Sequence, residues 1–143
     1  MSAFTPAEIA YLQSQRLGRI ATAGSDCQPQ VVPVVFRYNP ETDTIDVGGH
    51  DFVKRKKFRD VQRNSRVAIV IDDLASVNPW TVRGIEIRGE AVILPSGGKA
   101  LGPGFEDTMF RIKPKHVVSW GIGGGYPAPA RSAGSSTGVA GLG

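Results

Sequence analysis

The sequence predicts a mainly β domain of barrel type with two or three short helices. Three observations carry this. Six or seven short runs rich in valine and isoleucine are separated by Gly, Pro and Asn turns, a spacing that favours a barrel over a doubly wound α/β sheet. The helical stretches are brief and lie near the start and middle of the chain. At 143 residues there is room for one core and little else.

The elements follow in order. Thr5, Pro6 and Glu8 read as a helix start: Thr5 caps, Pro6 suits the first helical position, and Glu8 completes a capping box. Ile9, Leu12 and Leu17 give this helix an apolar face, and Gly18 is expected to end it. A strand runs from Arg19 to Ala23, followed by the turn GSDCQP. The run QVVPVVFRY is a second strand, because β-branched residues favour strands. Pro33 in its middle cannot donate to a ladder, which places it on an edge or at a bulge. Asn39-Pro40 opens a turn, and Thr44 to Val47 returns.

Asp51 is the expected cap of a helix from about Phe52 to Asn64. RVAIVIDD, from Ser65 onward, reads as a buried central strand. Asn78-Pro79 is a turn. TVRGIEIRGEAVILP is a long alternating strand with Gly84 and Gly89 as bend points. LGPGFEDTMFRI has room for a short helix, and KPKHVVSWGI is a final strand. The 23 residues from Gly121 hold eight of the 18 glycines and one charged side chain, Arg131. We therefore expect a barrel domain over 1–122 and a flexible Gly/Ser-rich tail over 123–143.

Composition bounds the function. No stretch of about 18 apolar residues is available to span a membrane. The N-terminus lacks the basic and apolar regions of a secretory signal, so a cytoplasmic location is expected. One cysteine, Cys27, and two separated histidines, His50 and His116, do not make a zinc site, and no metal is expected. The net charge of +4 suits an anionic partner of some kind.

The sharpest local feature is Lys54-Arg55-Lys56-Lys57-Phe58-Arg59, which follows a strand and a Gly-Gly turn and opens a helix. Free N–H groups at a helix start attract phosphate, and Lys and Arg add charge-assisted bonds. In one continuous helix Lys54 and Lys57 share a face, as do Arg55 and Arg59. A solvated surface face, a localisation signal or a nucleic-acid patch are the competing readings. No helix-turn-helix, RNP-like aromatic pattern or zinc knuckle supports nucleic acid. GxSxG, Walker-type and strand-to-helix GxGxxG patterns are absent. His50, beside the basic run, either contacts a ligand or is an incidental loop residue. Asp72-Asp73 reads as a turn cap rather than a metal pair, and Cys27 has no visible base beside it. No catalytic side chain is assigned. An anion site without an evident acid, base or nucleophile suits an enzyme whose cofactor brings the chemistry.

The segments RLGRIATAGSDCQPQVVPVVFRY, TIDVGGH, KRKKFRDVQRNSRVAIVIDD, GIEIRGEAVI and KPKHVVSWGI, taken in order, resemble the pyridoxamine 5′-phosphate oxidase-like flavin- and deazaflavin-binding split β-barrels. They resemble in particular the actinobacterial branch of F-420-dependent oxidoreductases. The likeness covers about Phe4 to Ile122. It implies a six-stranded antiparallel split barrel of the FMN-binding type, forming a homodimer with cofactor grooves at the interface. It implies coenzyme F-420, with FMN as the alternative, and hydride transfer to a small enone, imine or quinone-like substrate. A non-catalytic cofactor carrier is a further alternative.

By the same likeness the ring system rests on the backbone of Val31, Val32, Pro33 and Val34. Arg55 and Lys57 match the family's basic pair and Arg59 its later Arg, while Asp60 stands where Asn is common. Lys54 and Lys56 would suit the polyglutamyl tail of F-420. Cys27 stands where relatives typically have Gly.

Overall fold

The structure is a computed structural model and describes residues 1–123 and 131–132. The elements are α1 (Pro6–Ser14), β1 (Leu17–Ala23), β2 (Pro29–Asn39), β3 (Thr44–Gly48), a 3₁₀ turn (Phe52–Lys54), α2 (Lys56–Arg63), β4 (Arg66–Ser76), β5 (Thr81–Leu94), a second 3₁₀ turn (Gly98–Leu101), β6 (Met109–Trp120) and β7 (Arg131–Ser132). The strands form one antiparallel sheet in the order β3-β2-β1-β4-β5-β6-β7. Pairing of β3 with β6, Ile45 to Val47 against Phe110 to Ile112, closes the first six strands into a barrel. This is the split-barrel fold that the sequence predicts.

The barrel interior is filled by branched side chains and phenylalanine. Ile20, Ile69, Ile71, Ile85, Ile87, Phe110 and Ile112 are fully buried, as close-packed interiors require.

α1 begins as expected: Thr5 Oγ1 accepts from the Glu8 N–H and Glu8 Oε1 accepts from the Thr5 N–H. Its far end differs. The helix stops at Ser14, and Leu17 and Gly18 already belong to β1. Gly18 is needed in the strand for close approach, since a Cβ there would lie 3.1 Å from both Ile69 and Ile71. Leu17 is correspondingly more than half exposed, and α1 buries Glu8, Tyr11 and Leu12 instead.

The expected single helix from Phe52 to Asn64 is broken in two. Asp51 takes a left-handed conformation (φ 49°) rather than capping, and Arg55 is extended and precedes α2. The reason lies in Phe52 and Phe58. Both are buried and pack against Phe110, with ring centroids at 4.6 and 6.0 Å. Six residues apart on one helix, they would point about 120° away from each other, so the break at Arg55 lets both reach the core.

β5 follows its predicted alternation. Gly89 sits at a register shift against β6, where a Cβ would lie 2.0 Å from the Lys113 carbonyl oxygen. Gly84 keeps register and instead makes room for the Trp120 ring. The run LGPGFEDTMFRI holds no helix: the 3₁₀ turn Gly98–Leu101 ends at its first residue, and Met109 to Ile112 already belong to β6. Most of the expected tail lies outside the described residues. Within it, Arg131 and Ser132 pair with Val117 and His116 of β6.

Candidate functional site: a cationic cleft at an open strand edge

β2 changes its surroundings halfway along. From Val35 to Asn39 it pairs with β3, and of these residues only Val35 also faces β1. From Pro29 to Val34 it has β1 on one side and, among the described residues, no strand on the other. Backbone polar groups along that open edge are free to bond something else. Pro33 falls in this stretch, opposite Arg19, which is where a residue without an N–H is tolerated.

A cleft of about 570 Å³ opens beside this edge. Val32, Pro33 and Val34 form one wall. His50 and the cations Arg55, Lys56 and Lys57 form the other. Val31, Lys54 and Arg59 lie outside the lining. Val31 points its side chain to solvent at 65% exposure. Lys54 belongs to the 3₁₀ turn, so it does not share an α-helical face with Lys57. Arg59 is turned back, its Nη1 donating to the Lys54 carbonyl at 2.9 Å.

The aromatic anchors explain how the cations are presented. Phe52 and Phe58 are drawn inward, and Arg55 to Lys57 lie between them at the start of α2. The first N–H groups of α2 have no carbonyl one turn earlier to bond, and they add to the positive field.

The three cations are not equivalent. Lys56 Nζ bonds both oxygens of buried Asp60, at 2.8 and 3.0 Å, and Thr22 donates to the same carboxylate at 2.9 Å. Burial opposes the ionised form of Asp60, but the bonds from Lys56 and Thr22 outweigh it and hold its pKa below the ordinary value. Arg55 and Lys57 make no ion pair among the described residues. Lys57 is half-buried, with Nζ 5.3 Å from the Phe52 ring centroid. Its pKa is lowered, first by burial and then by repulsion from Arg55. Among the described residues no carboxylate lines the cleft. Arg55 and Lys57 therefore carry positive charge that none of the described residues balances.

His50 sits at the mouth. Its Nδ1 lies 3.0 Å from the Gly104 carbonyl oxygen, which makes Nδ1 the protonated nitrogen. The ring meets Phe105 edge-on at 4.9 Å. Phe105 lines the cleft as well and was not foreseen, being a single aromatic in a Gly/Pro loop with no periodic neighbour. Gln30, also in the lining, was likewise missed; polar residues in strands carry no distinguishing signal.

Two acids singled out in the sequence serve structure. Asp73 receives Arg83 at 3.0 and 2.6 Å and the Tyr11 hydroxyl at 2.8 Å, and Asp72 pairs with Arg19. Cys27 is exposed and left-handed (φ 61°) in a turn closed by its N–H on the Gly24 carbonyl. A position needing positive φ is where glycine is at home. No helix among the described residues is long and apolar enough to cross a membrane.

Comparison with known proteins agrees with this architecture. The model of the pyridoxamine 5′-phosphate oxidase family matches residues 4–121. A 5a,11a-dehydrotetracycline/5a,11a-dehydrooxytetracycline reductase of Streptomyces rimosus is 45% identical over 121 residues, which is 85% of each chain. Among solved structures, a conserved hypothetical protein of Mycobacterium tuberculosis superposes with a TM-score of 0.65 at 21% identity, covering 82% of this chain and 85% of that one. An FAD-binding protein of Mesorhizobium loti superposes with a TM-score of 0.60 at 21% identity, covering 81% and 91%. These two likenesses speak for the fold. With the family model spanning the whole barrel, the chain belongs to the pyridoxamine 5′-phosphate oxidase family.

Proposed function

We propose that this protein is a reductase that holds a deazaflavin of the coenzyme F-420 type in the cationic cleft. Its substrate is a small unsaturated compound, an enone, imine or quinone-like molecule. The observation that carries this reading is the meeting, in one cleft, of an open strand edge with Arg55 and Lys57, cations that no acid balances.

The fit to such a cofactor can be argued from the residues. A flat polar heterocycle can bond the free backbone groups from Gln30 to Val34, much as an added strand would. A phosphate suits Arg55, Lys57 and the first N–H groups of α2. Lys56, in the cleft wall and paired with Asp60, and exposed Lys54, outside the lining, extend the positive charge along the run, which suits a polyanionic tail. When bound, the cofactor would supply a hydride. The chain's own part is to bind and orient it and to hold its negative charge.

The 45% identical relative supports reduction of a small organic molecule. Its named dehydro substrate differs from the product by two hydrogens, the sum of one hydride and one proton.

Cofactor titration of the purified protein tests the reading. F-420 should bind more tightly than FMN, and the loaded protein should reduce some members of an enone and quinone panel. Tighter FMN binding would move the assignment to an FMN-dependent reductase. Tight F-420 binding without turnover of any acceptor would favour a carrier, and binding of neither would sink the proposal.

We further read the protein as a cytoplasmic homodimer. Val31, Val77 and Trp80 are exposed at 65, 70 and 69%, apolar surface that a second copy could cover. A sedimentation experiment showing only monomer at micromolar concentration would overturn this part.

A further inference from the structure

Beside the cofactor cleft lies a second one, of about 640 Å³. Val35, His50 and Phe105 line both, so the two clefts meet across one shared wall. Leu12, Leu17, Phe36 and Leu101 give the second cleft an apolar lining. Arg16, just past α1, and Arg37, on β2, bring the charge. Among the described residues no carboxylate lines it.

The charge on Arg37 is left over from a specific arrangement. Arg37 stands opposite Asp46 across β2 and β3, and Asp46 stands opposite Arg111 across β3 and β6. One carboxylate thus lies between two guanidinium groups. Asp46 gives both oxygens to Arg111, at 3.0 and 3.1 Å, and takes further bonds from Asn39 and Thr44. Arg37 is left without an ion pair among the described residues, and so is Arg16. A guanidinium group is a planar donor matched to carboxylates and other delocalised oxyanions. Two of them on apolar walls select a ligand that is flat, apolar in body and anionic at its edge.

We propose that this second cleft is the substrate chamber, and that it takes a flat conjugated ring system bearing an ionised oxygen function, an acidic enol or a carboxylate. Arg16 and Arg37 are its specificity-determining residues. The assignment as a substrate chamber rests on the reductase reading, whereas the ligand preference does not.

The test uses the full chain without cofactor, titrated with oxytetracycline, a fluorescent ring system with acidic enols. The expected result is a saturable fluorescence change. Arg16→Ala and Arg37→Ala should each weaken binding about tenfold, the loss of a charge-assisted bond. Affinity for F-420 or FMN should stay within about twofold of the parent, since neither arginine lines the cofactor cleft. Binding of neutral anthraquinone should not depend on either arginine.

No saturable binding by the parent, or equal oxytetracycline affinity in the parent and the double variant, would overturn the proposal. The two readings fail separately. Arginine-dependent oxytetracycline binding without any cofactor binding would fell the reductase reading and leave the anion-selective cleft standing. Cofactor binding with arginine-independent oxytetracycline affinity would do the reverse.

Discussion

The β4–β5–β6 side of the barrel and the side built by β2, the basic turn and α2 treat their cations in opposite ways. On the first, Arg83 meets Asp73 at 2.6 Å, Lys115 meets Glu90 at 2.7 Å and Arg88 meets Glu86 at 3.6 Å. On the second, Arg16, Arg37, Arg55 and Lys57 face two clefts with no acid in either lining. The first arrangement is what folding alone asks for, charges matched where they stand. The second raises the energy of the unliganded protein by holding cations partly buried and close together; the pKa of Lys57 is lowered first by burial and then by repulsion from Arg55. Such a mismatch identifies a binding surface more reliably than a count of basic residues, because a solvated face gains nothing by excluding acids.

The comparison can be broken most directly at Arg55 and Lys57. On the proposed assignment, replacing either with Ala should remove a charge-assisted bond to phosphate of roughly 1.5–3 kcal/mol, or about tenfold to hundredfold in affinity. The double variant should lose on the order of a hundredfold or more. Its melting temperature should fall only slightly, since the pair touches the core only through Lys57 Nζ over the Phe52 ring among the described residues. Cofactor titration beside thermal melts checks both halves, and an unchanged affinity would return the basic run to a solvated face.

A smaller effect is expected at Asp60, the one acid that balances a cleft cation. Asp60→Asn should release Lys56 and raise cofactor affinity a few-fold. It should cost about 1 kcal/mol at neutral pH, a modest figure because Lys56 is half exposed and screened. The pH dependence has a definite sign. A carboxyl held below its unfolded value of 3.8 stabilises the fold above that value and loses the contribution as pH falls through the folded one. Below pH 3.8 the parent should therefore lose stability more steeply than the variant. Parallel melting curves across that range would show that the pair contributes nothing.

The smallest effect is expected at Cys27. A side chain in left-handed backbone is strained, and glycine relieves that strain while adding freedom to the unfolded chain. Cys27→Gly should stabilise by less than about 1 kcal/mol and leave both clefts unchanged. A clear loss of stability would mean that the thiol makes a contact worth more than the strain.

Much of this was legible in the sequence, for reasons that differ by element. The capping box at Thr5, the Asn39 turn and the alternation along β5 are local patterns, and local patterns survive folding. The end of α1 and the break at Arg55 were not legible. Gly18 belongs to β1 because Ile69 and Ile71, far along the chain, need its space. Arg55 interrupts a good helical run because Phe52 and Phe58 share one target, Phe110. The cleft was legible as far as Pro33, His50 and the basic run. Phe105 and the second cleft depend on how a loop folds back over β2 and β3, which no periodicity encodes. Lys56 illustrates the same limit from the other side: its charge was visible, but not its neutralisation by Asp60.

The buried bond from Ser119 to Glu8, at 2.6 Å, joins residues 111 positions apart. The same Glu8 also closes the capping box of α1, and the barrel itself is sealed only when β3 finds β6. Synthesis therefore delivers the two fastenings last. A nascent chain that has emerged through β5 holds a curled sheet with β3 unpartnered along the side that β6 will cover, and a first helix tied to Asp43 and Tyr38 but still lacking the bond from Ser119. Loop closure over such spans is slow compared with hairpin formation. β6 thus acts as the clasp of the molecule, and a ribosome stalled before Met109 would expose an unsealed sheet to its neighbours.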